Sequence, residues 1–415
     1  MDPIKRTLKM RTKHFIHALQ YLFVFITVTG LLLFCTEPPD DDRIVIENDL
    51  GTLAARVTQL NEEVVLDTSI QETGLGKASV KPVTLTLIAE VQPPVVGGEV
   101  LQATDVYEKS GIVYVAYNMQ GEQYLGAVDI FDTKDKDDPE LISSMHFIDS
   151  DVNGLAFEKD YLYLAMATNR SEFDSPAVVE RVKVKNGKLS DETVTYDVPS
   201  WAATDVEATA NHLFVTSGAD GGQVTVIKLS DHSVEFSYPV EDARGVNTDK
   251  EEVAVVAGTP ARLLTFDYES GEKLMDYTLS GANIPFSKST IEVLKRKAVL
   301  ALGDGGVQVV CLESGAVVET IAPPVVDGLD PSVTVANAAT TNGKTIYMSN
   351  GEAGIYIAYS KDDFNGKNCD VDDLQMIGSF RLDDLESVNH LALKGDFLFA
   401  AGGLGGLKIF KAHEK

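Results

Sequence analysis

Seven times between Thr104 and the C-terminus the chain passes through the same short cycle, and this repeat constrains the fold more than any other feature. Each cycle opens on a polar pair beside an aliphatic residue: TDV at Thr104, VNGL at Val152, TDV at Thr204, RGV at Arg244, STI at Ser289, ANA at Ala336 and VNHL at Val388. A polar turn follows, then an apolar strand such as IVYVA, YLYLA, HLFVT or VAVVA. Next come a glycine-bearing turn (SGADGGQ, LGDGGVQ, NGEAGIY) and a third strand that alternates apolar and polar residues, as in AVDIF, VTVI and VQVV. A further charged or glycine turn leads to a fourth strand. Alternation with period two puts successive side chains on opposite faces of a sheet. Four short strands recurring every roughly 40 to 53 residues describe the blades of a β-propeller.

The predicted fold class is therefore all-β: a seven-bladed β-propeller of four-stranded blades spanning 83–415. The seventh cycle, from Val388 to Lys411, runs out after its third strand. VTLTLIAEV, at Val83 to Val91, alternates like the missing fourth strand. It is expected to complete the last blade and close the ring, which removes a bare sheet edge. The glycine cluster in GDGGVQVVCLESGAVVETI (303–321) is read the same way. A phosphate loop needs a helix after its glycines, whereas this stretch alternates as a strand, turns at Ser314–Gly315 and returns. Gly303, Gly305 and Gly306 are assigned to a hairpin turn that tolerates positive φ.

One cycle carries a resemblance. YLGAVDIFDTKDKDDPELISSMHF, from Tyr124 to Phe147, resembles the LVIVD repeat, a propeller-forming bacterial repeat in which an apolar strand ending in Asp leads through D-x-x-x-P to another strand. IKLSDHS and FDYESGE keep the strand and turn and lose the proline. The resemblance implies the propeller fold and brings no common catalytic residues with it.

The first 35 residues have the pattern of an export signal. Lys5, Arg6, Lys9, Arg11 and Lys13 precede an apolar run, YLFVFITVTGLLLFC, ending at Cys35. Positive residues stay on the cytoplasmic side, so the chain beyond Cys35 is expected outside the cytoplasm. Cys35 followed by TEPPDDD resembles a bacterial lipoprotein signal, with Cys35 as the lipidated residue of an outer-membrane or cell-surface protein. Phe34 stands where that pattern has a small residue, which leaves an uncleaved signal anchor and ordinary secretion as alternatives. Residues 36–82 read as an acidic linker and short helical spacer, because Leu50, Leu53, Val57, Leu60 and Val64 step by three and four.

The formal charge of −28 argues against nucleic acid, which needs a basic footprint, and favours a soluble monomer. Three cysteines are too few for a disulfide framework, and none has CxxC spacing. Cys311 and Cys369 fall on neighbouring blades, within reach of pairing in an oxidising space.

In a propeller, the loops leading into the innermost strands and those joining strands two and three share one face. The polar pairs thus gather around one channel mouth: Asp105, Asn153, Asp205, Arg244, Ser289, Asn337, Asn389 and His390. Asp220, Arg262, Asp304 and Glu352 join them from the second-to-third turns. Trp201, the only tryptophan, precedes the third innermost strand, where it either stacks on a ligand or packs between blades. Arg170 lies in ATNRSEFDSPAVV, the longest insertion on that face. Side chains of these types at strand starts also bond local backbone. No GxSxG or HExxH motif is present. The function expected is a binding or scaffold module whose mouth face takes a protein or a glycan. The alternative is a divalent-cation-dependent hydrolase or lactonase, with Asp105, Asn153, Asp205 and Asn337 as a hard-cation site. Ca²⁺ is the cofactor considered, since Asp132–Glu140 and Asp362–Asp373 have the composition of calcium loops without the EF-hand order.

Overall fold

The computed structural model describes residues 43–414 except 71–82, 136–137, 219–220, 286, 372–373 and 383–385. The export signal, Cys35 and Asp220 lie outside the described residues. Seven antiparallel sheets stand in sequence order, each beginning at its innermost strand. The inner strands are Gln102–Lys109, Ser150–Glu158, Ala203–Ala208, Ala243–Thr248, Ile291–Leu294, Ala338–Asn342 and His390–Lys394 in blades 1 to 7. Their second strands, including Ile112–Asn118 and His212–Ser217, are almost wholly buried because both faces meet a neighbouring blade.

Ring closure follows from where the apolar side chains go. Seven hydrophobic clusters fill the seven seams, one between each pair of adjacent blades. The seam between blades 7 and 1 is filled like the others: Phe399, Leu407 and Ile409 pack with Val113, Val115 and Phe131. Val83–Val91 pairs with the last strand, Leu407–Glu414, in the register Val91↔Leu407, and so supplies the fourth strand of blade 7. The seven-bladed ring and its closure agree with the repeat. Among the described residues no helix is long and apolar enough to cross a membrane.

The spacer differs from the sequence expectation. Only Leu50–Ala54 is helical, started by Asp49, whose Oδ1 accepts from the Thr52 N–H at 2.9 Å. Ile44–Glu47 instead adds a fifth strand to the outer edge of blade 1, and Val57–Val64 adds one to the outer edge of blade 7. Further along, Asp67 pairs through its backbone with Ser379 of blade 6. At the other end, the Asn48 carbonyl accepts from Lys188 of blade 2 at 2.9 Å. Residues 44–67 therefore form a strap over the outer rim of blades 2, 1, 7 and 6, centred on the closure seam. The propeller sheets begin at Ile44 rather than Val83. Two heptads of leucine and valine are too few to sustain a long helix against the backbone pairing that two open sheet edges offer. Arg56 pins the strap: its guanidinium makes a two-point ion pair with fully buried Asp129 of blade 1, at 2.6 and 3.1 Å. Its Nε donates to the Gln92 carbonyl of the connection from blade 7 to blade 1.

Candidate functional site: the channel mouth

The polar pairs that open each repeat sit at the start of the inner strands, and most of their hydrogen bonds run to the next blade. Asn153 Nδ2 donates to the Ala203 carbonyl at 3.0 Å, Asn337 Nδ2 to Val388 at 3.1 Å and Asn389 Nδ2 to Ala103 at 2.9 Å. Thr104 and Thr204 do the same with their hydroxyls, toward Val152 and Ala243. The acids accept instead. Asp105 Oδ2 takes the Leu155 N–H at 3.0 Å, and Asp205 Oδ2 takes the Val246 N–H at 2.9 Å. A bulge in each inner strand, at Ala103/Asp105 and at Ala203/Asp205, turns these side chains toward the neighbour. The ring of candidate residues is thus a ring of blade-to-blade fasteners.

The glycine turns lock the same seams through backbone. Gly303 pairs with Ala336, Gly351 with Val388 and Gly403 with Ala103, each linking a second-to-third turn to the next inner strand. Gly306 closes its turn at φ 70°, and a Cβ there would lie 2.0 Å from the Ile321 carbonyl oxygen. The cluster is the hairpin corner the sequence predicted. Asp304 within it accepts from Asn283 N and Nδ2 at 2.8 and 2.9 Å.

His390 and Lys288 converge on Asp105 at the channel. His390 Nδ1 lies 2.7 Å from Asp105 Oδ1. Lys288, reaching from the connection into blade 5, donates to the Thr104 carbonyl and approaches Asp105 at 3.7 Å. Burial works to raise the Asp105 pKa, but His390 and Lys288 outweigh it and hold that carboxyl well below its usual range. Asp205 is pushed up to about 7 by burial and by the Asp105 charge, and Glu207 to about 8 by burial and by Asp205. Glu292 rises to about 8 through burial. Sequence reasoning missed Lys288, Glu207 and Glu292. The available signal for Lys288 was its place as the one lysine in the mouth loops.

Arg244 joins no open site. Its guanidinium pairs with Asp242 at 2.7 and 3.0 Å and donates to Ser287 Oγ at 2.9 Å and Ser289 Oγ at 3.3 Å. It lies so close over Gly258 that a Cβ there would be 2.3 Å away. Arg262 is turned to the outer strand of its own blade, paired with Asp276 at 2.7 Å.

Of the four residues of the hard-cation alternative, Asn153 and Asn337 donate their side-chain amides to their neighbours' backbone. Among the described residues no group of three or more His, Cys, Asp or Glu side chains is arranged to hold a metal ion. In the second acidic loop a cation is already present. The buried Lys297 ammonium donates to the Gly366 and Asn368 carbonyls at 3.2 and 2.6 Å. Asp363 is turned to the Asn365 N–H and Asp370 to Asn368. Cys369 of this loop is disulfide-bonded to Cys311 of blade 5.

What remains open to solvent is the rim. Trp201 is 62 % exposed. Its loop is laced to the Arg170 loop: Ser175 Oγ donates to the Val198 carbonyl at 2.7 Å and Ala177 N to Ser200 at 3.2 Å. Arg170 stiffens that loop, paired with Glu172 at 2.6 Å and stacked 4.7 Å over the Phe173 ring. Val95, Val100, Ile148, Val325 and Leu404 are the other large apolar residues exposed in mouth-face loops, Val325 almost completely. Among the described residues, the turns of the opposite face expose none; the rest lie on outer strands or on the strap.

No family model matches the chain, and no curated protein does. Solved structures match the fold. The WD40 repeats of RRP9 give a TM-score of 0.57 at 13% identity, over 78% of this chain and 98% of that one. U3-55K gives 0.54 at 13%, over 77% and 98%, and the WD40 propeller domain of Doa1 gives 0.51 at 12%, over 77% and 96%. At these identities the likeness shows a WD40-like seven-bladed β-propeller and nothing finer.

Proposed function

We propose that this chain is an exported binding module whose mouth face docks a protein partner. The observation that carries the reading is the distribution of exposed apolar side chains. Six stand on the mouth face, Val95 and Val100 of them in a short hairpin, whereas on the described opposite face only Val234 and Val317, the first residues of outer strands, border its turns. Apolar side chains gathered on one exposed face of a rigid scaffold mark interaction surfaces, and tryptophan is enriched among the anchors of such surfaces. The inner ring supports the same reading by elimination, because its amides and carboxylates hold blades together and leave few groups to do chemistry. Export is supported by the basic, then apolar, N-terminal sequence and by the Cys311–Cys369 disulfide, a bond that persists in oxidising compartments.

The test compares three full-length proteins used as bait in extract of the native cell envelope: wild type, a mouth variant (Trp201→Ala with Val325→Ser) and an opposite-face variant (Glu269→Lys with Asp396→Lys). The reading expects quantitative mass spectrometry to find proteins retained by wild type and by the opposite-face variant and lost by the mouth variant. An identical retained set for all three proteins overturns it.

A further inference from the structure

We infer that the partner segment seated on the mouth face is basic as well as apolar, so that lysine or arginine side chains flank its apolar anchors. This rests on the mouth-face reading above and adds the chemistry of the occupant. The mouth face consists of the second-to-third turns and the connections between blades. Among the described residues those stretches contain twelve acidic residues against three basic ones, Arg170, Lys288 and Arg381. None of the three basic side chains is unengaged. Arg170 is paired with Glu172, Lys288 is drawn down onto Asp105 and Thr104, and Arg381 donates to the Glu352 carbonyl at 3.1 Å.

The opposite face is also acidic but mixed, with thirteen acids against eight bases among the described residues of its turns. Lysines crowd the strand ends there too, including Lys109, Lys188, Lys228, Lys273 and Lys394. Among the described residues, one lysine in the mouth turns and connections against seven in the turns of the other face is a segregation that ring stability alone does not require. Its physical consequence is a one-sign field over the surface that also bears the apolar tips. Such a field speeds the approach of a cationic surface and repels nucleic acid, anionic lipid and acidic protein. A neutral glycan would gain nothing from it, and a second copy of this chain, at −28, would be repelled.

The probes are fluorescein-labelled twelve-residue peptides of alternating Leu–Lys, Leu–Glu or Ser–Lys. They are titrated by fluorescence anisotropy into the full chain in neutral detergent, with empty micelles as the blank. The Leu–Lys peptide is expected to bind at 50 mM salt and to weaken at least tenfold at 500 mM. It should also weaken at least tenfold in a Glu99→Lys, Glu122→Lys, Asp327→Lys variant, each site being exposed. Reversing Glu269, Glu272 and Asp396 on the opposite face should leave it within twofold, and circular dichroism melting confirms that all variants are folded. If Leu–Glu binds as tightly as Leu–Lys and both are lost in Trp201→Ala, the basic inference falls while the mouth reading stands. If Leu–Lys binding ignores both Trp201→Ala and the mouth reversal, both fall. Binding of Ser–Lys equal to Leu–Lys leaves charge alone as the determinant and overturns the apolar half of the inference.

Discussion

Asn389 and Trp201 both belong to the mouth face, and they are used in opposite ways. The Asn389 amide is turned inward to the Ala103 carbonyl, across the seam where the ring closes. The Trp201 indole is turned outward and is 62 % exposed. The same division separates the inner ring from the rim generally. Asn153, Asp205, Arg244 and Asn337 fasten blade to blade, while Val95, Val325 and Leu404 stand in solvent. Polar side chains on inner strands look like ligands in sequence because binding and fastening need the same donors and acceptors. Exposure separates them: a buried polar group is paired within the protein, whereas apolar side chains gathered on an exposed face are available to a partner.

If the inner ring is structural, damage to it must register as lost stability. The largest effect is expected at Arg244. Arg244→Ala leaves Asp242 without its two-point partner and the Ser287 and Ser289 hydroxyls without their shared donor. Removing one member of a buried ion pair costs about 3–5 kcal/mol. Urea unfolding monitored by the single tryptophan should show that loss. A change below about 1 kcal/mol would place Arg244 outside the fastening set.

The channel acids give the next effect, and its sign is fixed. Glu207, with a folded pKa near 8, keeps a proton that the unfolded chain releases near its ordinary value of about 4.3. Its stabilising contribution is therefore whole at the acid end and is lost as pH rises from about 4 through 8, at up to about 1.4 kcal/mol per pH unit. Asp205, raised to about 7, adds in the same direction. Asp105, held low by His390 and Lys288, acts oppositely: its contribution is present above about pH 4 and disappears below it. Unfolding free energy should thus peak on the acid side of neutrality. Glu207→Gln should flatten the fall between pH 5.5 and 7.5, and an unchanged slope would remove Glu207 from this account.

Asn389→Ala sharpens the comparison at a single hydrogen bond. The Ala103 carbonyl loses the donor that reaches it from blade 7, with an expected cost of about 1–3 kcal/mol. Asn153→Ala and Asn337→Ala should cost similar amounts, because their amides make the same kind of bond at other seams. A loss of partner binding without a loss of stability in any of the three would return that residue to the rim class.

How far the sequence anticipated these roles depends on the distance between partners. The blades were legible because each strand pairs with its neighbour across a short turn, and period-two alternation records that pairing locally. Val83–Val91 was legible as the closing strand because the seventh repeat lacked one. The strap was not. Leu50, Leu53, Val57, Leu60 and Val64 keep a helical spacing, yet Val57–Val64 is a strand because the edge of blade 7 lies alongside it. Lys288 was illegible for the same reason, since it meets Thr104 across the ring, 184 residues away in sequence. Nothing local in VPSWAATDV distinguishes a tryptophan turned into a seam from one turned into solvent.

Trp201 therefore carries the smallest expected change in stability and the most discriminating one. Its loop is held by backbone and serine contacts, from Ala177 N to Ser200 O and from Ser175 Oγ to Val198 O. Trp201→Ala should leave the melting transition within about 0.5 kcal/mol of wild type, as exposed substitutions generally do. Differential scanning calorimetry is the suitable measurement, because the substitution removes the fluorescence signal. An exposed aromatic that anchors a partner costs about 2 kcal/mol or more in affinity when truncated. The two measurements must therefore diverge: a melting curve superimposable on wild type beside at least a tenfold loss of partner affinity. If both fall together, the indole is a part of the blade seam like Asn389, and the boundary between fasteners and rim must be redrawn inward of the Trp201 loop.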